Sequence, residues 1–284
     1  MIEYLEKPTI DRLSVFCFNY PYSDWLDDTV VNELMDVLTP AERRYIVNLP
    51  VNCRIRRLSS RATIRLVLAD MLGCDPVQVA LAISRYGKIY LTGSPCFVSV
   101  THSHTMGVLV ISPCNLGVDL EWLNRRPIKL RQKLLTRMDP VAFESMQLGG
   151  VEHRIDLDMQ FTAWWTMQES VVKYYASTIW NRQWSGEYCA SFWRSLFEVK
   201  WLSALLVRDV SNELRIKTVA KVPVSPDHFA SVWQFGLSGA YLGCLTTQRS
   251  IDDWRAYNLR WQPANGQCRR RLLAVPLKIN WVSV

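Results

Sequence analysis

Several segments that would set the class of this 284-residue chain are missing. The opening Met1-Ile-Glu-Tyr-Leu-Glu-Lys7 places two acids before any apolar run, so it lacks the basic start and continuous apolar stretch of a secretory signal. Nothing further along approaches the roughly 18 uninterrupted apolar residues of a membrane helix. The eight cysteines, at 17, 53, 74, 96, 114, 189, 244 and 268, form no Cys-x-x-Cys pair and do not cluster with the four histidines. That excludes the pattern of a zinc ribbon and of a disulfide scaffold. A cytoplasmic protein with reduced thiols is therefore expected. There is no Gly-x-x-x-x-Gly-Lys loop and no Gly-x-Ser-x-Gly elbow, which disfavours nucleotide triphosphatases and ordinary serine hydrolases. No linker or low-complexity stretch isolates the last segment, 251–284.

What is present is a globular composition, 49% hydrophobic and 21% charged. The length suits two structural halves or one large domain. Lys plus Arg number 33 against 26 Asp plus Glu, a net +7 that favours acidic partners: nucleic acid, phosphorylated cofactors or an acidic protein. Charge alone does not choose among them. The 12 tryptophans are most simply a packing inventory.

Thr39-Pro-Ala-Glu42 is a capping box with proline at the first helical position, so a helix should begin at Pro40 and break near Pro50. Ile55, Leu58, Ala62, Leu66, Ala69 and Leu72 then recur every three to four residues up to Gly73, the pattern of an amphipathic helix with a glycine C-cap. Arg57, Arg61 and Arg65 would form a basic stripe on another face. Val- and Ile-rich runs from Val77 to Leu123 predict four or five strands. Helix is expected at 130–135 and at Leu157 to Ala176, where Trp164, Met167, Val171 and Tyr174 make a core stripe. Strands should return at 214–222, 230–235 and 240–246. The order helix, strands, helix, strands predicts an α+β fold of two similar α/β halves, 1–115 and 116–250. Residues 251–284 read as an appended strand pair packed on the second half.

Three segments carry chemistry. In Gly117-Val-Asp-Leu-Glu121, strand alternation would put Asp119 and Glu121 on one face, where like charges are costly unless a cation or bases lie between them. A hard divalent ion is the natural guest, and a solvated edge strand is the bland alternative. Phe161, Trp165, Glu169 and Lys173 stand four apart on one helical face, either as an intrahelical Glu-to-Lys pair or as a metal carboxylate with a phosphate ligand one turn on. Ser99-Val-Thr-His-Ser-His104 holds two histidines beside hydroxyls; His102 is a candidate donor to a phosphate.

Taken in order, Arg57, Tyr86-Gly-Lys88, Val100-Thr-His-Ser103, Gly117-Val-Asp-Leu-Glu121 and Trp165-Thr-Met-Gln-Glu-Ser-Val-Val-Lys173 resemble the 4'-phosphopantetheinyl transferases of the larger, pseudo-dimeric Sfp-type class. The resemblance spans about residues 34 to 180, and the strand pattern extends it to about 250. It implies two halves related by a pseudo-twofold, each a small, mostly antiparallel sheet packed with helices. It also implies an enzyme that moves the phosphopantetheine arm of coenzyme A to a serine of an acyl or peptidyl carrier protein in specialised metabolism. Carried over by position, Asp119, Glu121 and Glu169 would hold Mg²⁺, and Asp119 and Glu169 would be catalytic residues. Arg57, Lys88, His102 and Lys173 would contact coenzyme A phosphates. The expected partners are coenzyme A and a carrier protein, with no membrane, no nucleic acid, and a monomeric enzyme.

The departures from the family pattern are specific. Gln168 stands where a lysine is usual, and Ala142 stands where the glutamate that takes the serine proton is usual, with Glu144 and Asp139 nearby in sequence. The usual Gly-x-Gly-Leu reads Ala176-Ser-Thr-Ile179, and the Gly-Lys-Pro turn reads Gly87-Lys-Ile89. Two rivals follow: a catalytically weakened relative that binds coenzyme A or a carrier protein without efficient turnover, and a nucleic-acid-binding module supported only by net charge and clusters such as Arg269 to Arg271.

Overall fold

The computed structural model describes residues 2–4, 8–19, 28–123, 154–177, 213–225, 228–237, 240–248, 253–263 and 270–281. The expected helix at 130–135, and Asp139, Ala142 and Glu144, lie outside them. The described elements are four helices and thirteen strands in three sheets, a mixed α+β architecture with mostly antiparallel pairing.

Strands β1 (Ile2–Tyr4) and β2 (Leu13–Asn19) precede three helices, α1 (Asp28–Asp36), α2 (Pro40–Val47) and α3 (Val51–Leu72). Helix α2 starts as its sequence dictates. The Thr39 hydroxyl accepts the Glu42 amide at 3.3 Å while Glu42 Oε2 accepts the Thr39 amide at 3.1 Å. Helix α3 ends on Gly73 at φ 68°, a left-handed turn that suits glycine.

The buried stripe of α3 differs from the expected one. Leu72 is exposed and Leu66 half-buried, whereas Ile64, Val67 and Leu68 are fully buried. The reason is that α3 serves two cores. Its first half, through Ile55, Leu58 and Ala62, packs on α1 and α2; its second half, through Ile64, Val67 and Leu68, packs on a sheet. The basic stripe also divides. Arg57 is exposed, but Arg65 is buried and donates to Glu42 Oε2 at 2.6 Å and to the carbonyls of Pro76 and Val79. Burial pushes the Glu42 carboxyl up, yet the bonds from Arg65 and Thr39 more than offset it, so it lies below its ordinary pKa.

Five strands fill 81–122, as expected: the hairpin β3 (Leu81–Ile83) and β4 (Ile89–Leu91), then β5 (Phe97–Ser103), β6 (Met106–Ser112) and β7 (Leu116–Trp122). Helix α4 (Arg154–Tyr174) buries Trp164, Met167, Val171 and Tyr174. After it come β8 (Glu213–Ser225), β9 (His228–Leu237), β10 (Tyr241–Thr247), β11 (Trp254–Pro263), β12 (Arg270–Pro276) and β13 (Lys278–Trp281).

The large sheets run β1-β12-β11-β2-β6-β5 and β13-β8-β9-β10-β7. They face each other. Leu13, Val15, Val108 and Val110 of the first meet Val118, Leu120, Trp233 and Leu245 of the second in one core. The opposite face of the first sheet, with Phe16, Phe18 and Leu109, packs on α3. The second sheet's outer face carries α4, whose Ser170 and Thr246 of β10 hydrogen-bond at 2.8 Å.

Residues 251–284 are not a strand pair appended to the second half. β11 enters the first sheet between β12 and β2, and only β13 joins the second, beside β8. The side chains explain this. Trp254 and Ala256 face the core between the sheets while Tyr257 and Leu259 face the α3 core, so β11 is buried on both faces as an interior strand must be.

Candidate active site at the junction of the sheets

β5 closes one end of the first sheet and β7 one end of the second. An end strand leaves a row of backbone N–H groups without strand partners. Here hydroxyls satisfy them. The amides of Val118, Leu120 and Trp122 donate to the side-chain oxygens of Ser99, Thr101 and Ser103 at 3.1, 3.3 and 2.9 Å. Each such bond is worth about 1 kcal/mol net, and together they fix the register of β7 against β5.

Two of these hydroxyls also donate. Thr101 bonds Asp119 Oδ1 at 2.8 Å, and Ser103 bonds Glu121 Oε2 at 2.9 Å. The two carboxylates share the face of β7 turned towards α4, as alternation requires, while Val118 and Leu120 enter the core between the sheets. The helix comes close because residue 117 has no side chain. A Cβ there would run into the Ser170 carbonyl oxygen and the Tyr174 amide nitrogen of α4.

Asp119 is 5% exposed, so the bland edge-strand alternative does not describe it. Its Oδ1 accepts from Lys173 Nζ at 2.6 Å, and its Oδ2 is buried with no hydrogen-bond partner among the described residues. Glu169, one helical turn before Lys173, has its carboxyl pKa raised by burial and then by the Asp119 charge, with Lys173 opposing and Glu121 adding to the rise. The charges of Asp119 and Glu121 thus disfavour the ionised form of Glu169, and Lys173 is the cation that opposes them. His102 lies on the other face of β5 from Thr101. Burial pushes its imidazole down to about 4, reinforced by Arg56, Arg57 and Lys173, so it is a neutral donor near pH 7.

Lys88 is placed differently. It is buried, and its Nζ donates to Asn115 Oδ1 at 2.7 Å and to the Tyr174 carbonyl at 3.0 Å, at the C-terminal end of α4 where a cation is favoured. Burial lowers its pKa to about 8. Lys88, Glu169 and Lys173 line a pocket of about 350 Å³, with Tyr86, Ser99 and Ser177. Arg57, His102, Asp119 and Glu121 are not part of that lining.

Carboxylate oxygens suit Mg²⁺, and an unpaired buried oxygen such as Asp119 Oδ2 suits a cation. Among the described residues, however, no three His, Cys, Asp or Glu side chains stand close enough to enclose a metal as they are. The structure thus brings Asp119, Glu121, Glu169, Lys173, His102 and Arg57 within electrostatic reach. It holds Lys88 against a helix end. Thr101, Ser103 and Asn115 carry contacts that sequence reasoning had not assigned. The alternation Ser99-x-Thr101-x-Ser103 was the available signal for the first two.

No family model matches the chain, and no curated protein does.

Proposed function

We propose that the protein transfers the 4'-phosphopantetheine arm of coenzyme A to a serine of an acyl or peptidyl carrier protein, with Mg²⁺, in specialised metabolism. The observation that supports this best is the buried Asp119, whose Oδ2 has no hydrogen-bond partner among the described residues, within electrostatic reach of Glu121 and of Glu169 and the cation Lys173, the last two of which line the pocket. A pyrophosphate-bridged substrate calls for this mixture of metal-binding acids and phosphate-binding bases. In the reaction, the serine oxygen bonds to the phosphorus attached to pantetheine, the bridging P–O bond breaks, and adenosine 3',5'-bisphosphate departs. A divalent ion at these acids would spread the charge of the pyrophosphate. Lys173 and the neutral N–H of His102 would donate to phosphate oxygens, and Arg57 would add charge from α3. The serine proton needs an acceptor that Ala142 does not supply.

The proposed protein is a cytoplasmic monomer in which the halves 1–115 and 116–250 are related by a pseudo-twofold. The second reading is a relative that binds coenzyme A or a carrier without efficient turnover. It is favoured by Lys88, whose ammonium is already engaged by Asn115 and Tyr174, together with Ala142 and Gln168. Incubation with fluorescent coenzyme A, Mg²⁺ and a panel of apo carrier proteins separates the two. Label on a carrier supports transfer; coenzyme A binding with no label on any carrier supports the second reading.

A further inference from the structure

Lys173 faces two demands at once. Its Nζ is 2.6 Å from Asp119 Oδ1, and its side chain also lines the pocket with Lys88 and Ser177. It keeps 27% exposure, whereas the Asp119 side chain keeps 7%. The carboxylate is therefore fixed and the ammonium is the partner with somewhere to go. Asp119 is fixed by Thr101, which holds the same Oδ1 at 2.8 Å while accepting the Leu120 amide. Its Oδ2, buried and without a hydrogen-bond partner among the described residues, is an acceptor left unused, but Lys173 already neutralises the carboxylate's charge.

We infer that Lys173 is a built-in competitor for the cation at Asp119, and that an anion in the adjoining pocket relieves the competition by drawing the ammonium away. Anion and divalent cation then bind with positive coupling: each is weak alone because the Asp119–Lys173 ion pair must open, and the second to arrive finds it open already. This rests on the proposed metal role of Asp119 and adds an order and a coupling residue to it. Coupling of this kind is reciprocal, so the cation must tighten anion binding by the same factor.

The test is direct Mn²⁺ binding to the full chain, followed by the electron paramagnetic resonance signal of free Mn²⁺, with and without inorganic phosphate as the anion. Wild type, Lys173→Met and Lys173→Gln are compared, each checked by thermal melting, the glutamine variant serving if the methionine variant fails to fold. Without phosphate, the folded variant should bind Mn²⁺ about tenfold more tightly than wild type, within the roughly 5–150-fold range of coupled sites. Phosphate should tighten Mn²⁺ binding to wild type and leave the variant unchanged. Equal Mn²⁺ affinities in wild type and variant, or an equal phosphate effect in both, would overturn the competition and leave the cation site standing. No Mn²⁺ binding by any protein, with or without phosphate, would remove the cation site as well.

Discussion

His102 shows how a single residue's surroundings set its chemistry. Burial comes first and the nearby Arg56, Arg57 and Lys173 second, and both hold its imidazole neutral, at about 4 against an ordinary 6.5. Between those values the unfolded chain binds a proton that the folded chain does not, so this group's contribution makes stability rise with pH across that window and fall on acidification. Replacing His102 with Asn should flatten the rise, seen as a smaller difference between urea midpoints at pH 4 and pH 7 than in wild type. An unchanged difference would mean that His102 titrates normally. The position of His102 beside a basic helix could not be read from residues 99–104, because Arg56 and Arg57 lie more than forty positions earlier. The faces of Asp119 and Glu121 could, because alternation along a strand is local.

At the scale of elements, helix ends follow local chemistry and inform a stability prediction. The Thr39 capping box and the Gly73 cap stand where the sequence puts them. The end of α4 departs from that economy. Ala176 adopts φ 51°, where its Cβ is strained, while its amide donates to the Lys173 carbonyl at 3.2 Å and the Ser177 amide to the Val172 carbonyl at 3.0 Å. Ala176→Gly should stabilise the protein by about 0.5–1 kcal/mol, since relief of the strain exceeds the added freedom of the unfolded chain. A higher urea midpoint with an unchanged slope would show it, and a lower midpoint would contradict the left-handed cap. The basic stripe divides for a related reason. Helical spacing put Arg65 on a face with Arg57, but only the fold brings Glu42 and the Val79 carbonyl to meet it.

Across the whole molecule, the mixture of helices and mostly antiparallel strands was legible as an order of elements, whereas the path of the last strands was not. Pairing of β11 with β2 joins residues some 240 positions apart, and nothing local to residues 254–263 names that partner. Only their two-sided apolar pattern hints at an interior strand. The consequence is testable. Removing residues 251–284 would strip β2 of a neighbour and take Trp254, Tyr257, Leu259 and Leu272 from the two cores. Burial of each such side chain contributes about 1.5–3 kcal/mol, so their joint loss, roughly 6–12 kcal/mol before the lost strand bonds are added, is as large as the usual margin of roughly 5–15 kcal/mol. The truncated chain should show no cooperative thermal transition; one close to that of the full chain would mean that the segment is dispensable.

At the junction of the two sheets, we propose, Asp119 stands at the metal end of a phosphopantetheinyl transfer site. Single-turnover transfer of label from fluorescent coenzyme A to apo carrier proteins tests it most directly, with wild type in Mg²⁺, wild type in EDTA, and Asp119→Ala in Mg²⁺, the variant first shown by melting to be folded. The expected result is carrier labelling by wild type in Mg²⁺ and none in the other two. Labelling by Asp119→Ala at the wild-type rate, or no labelled carrier under any condition, would contradict it.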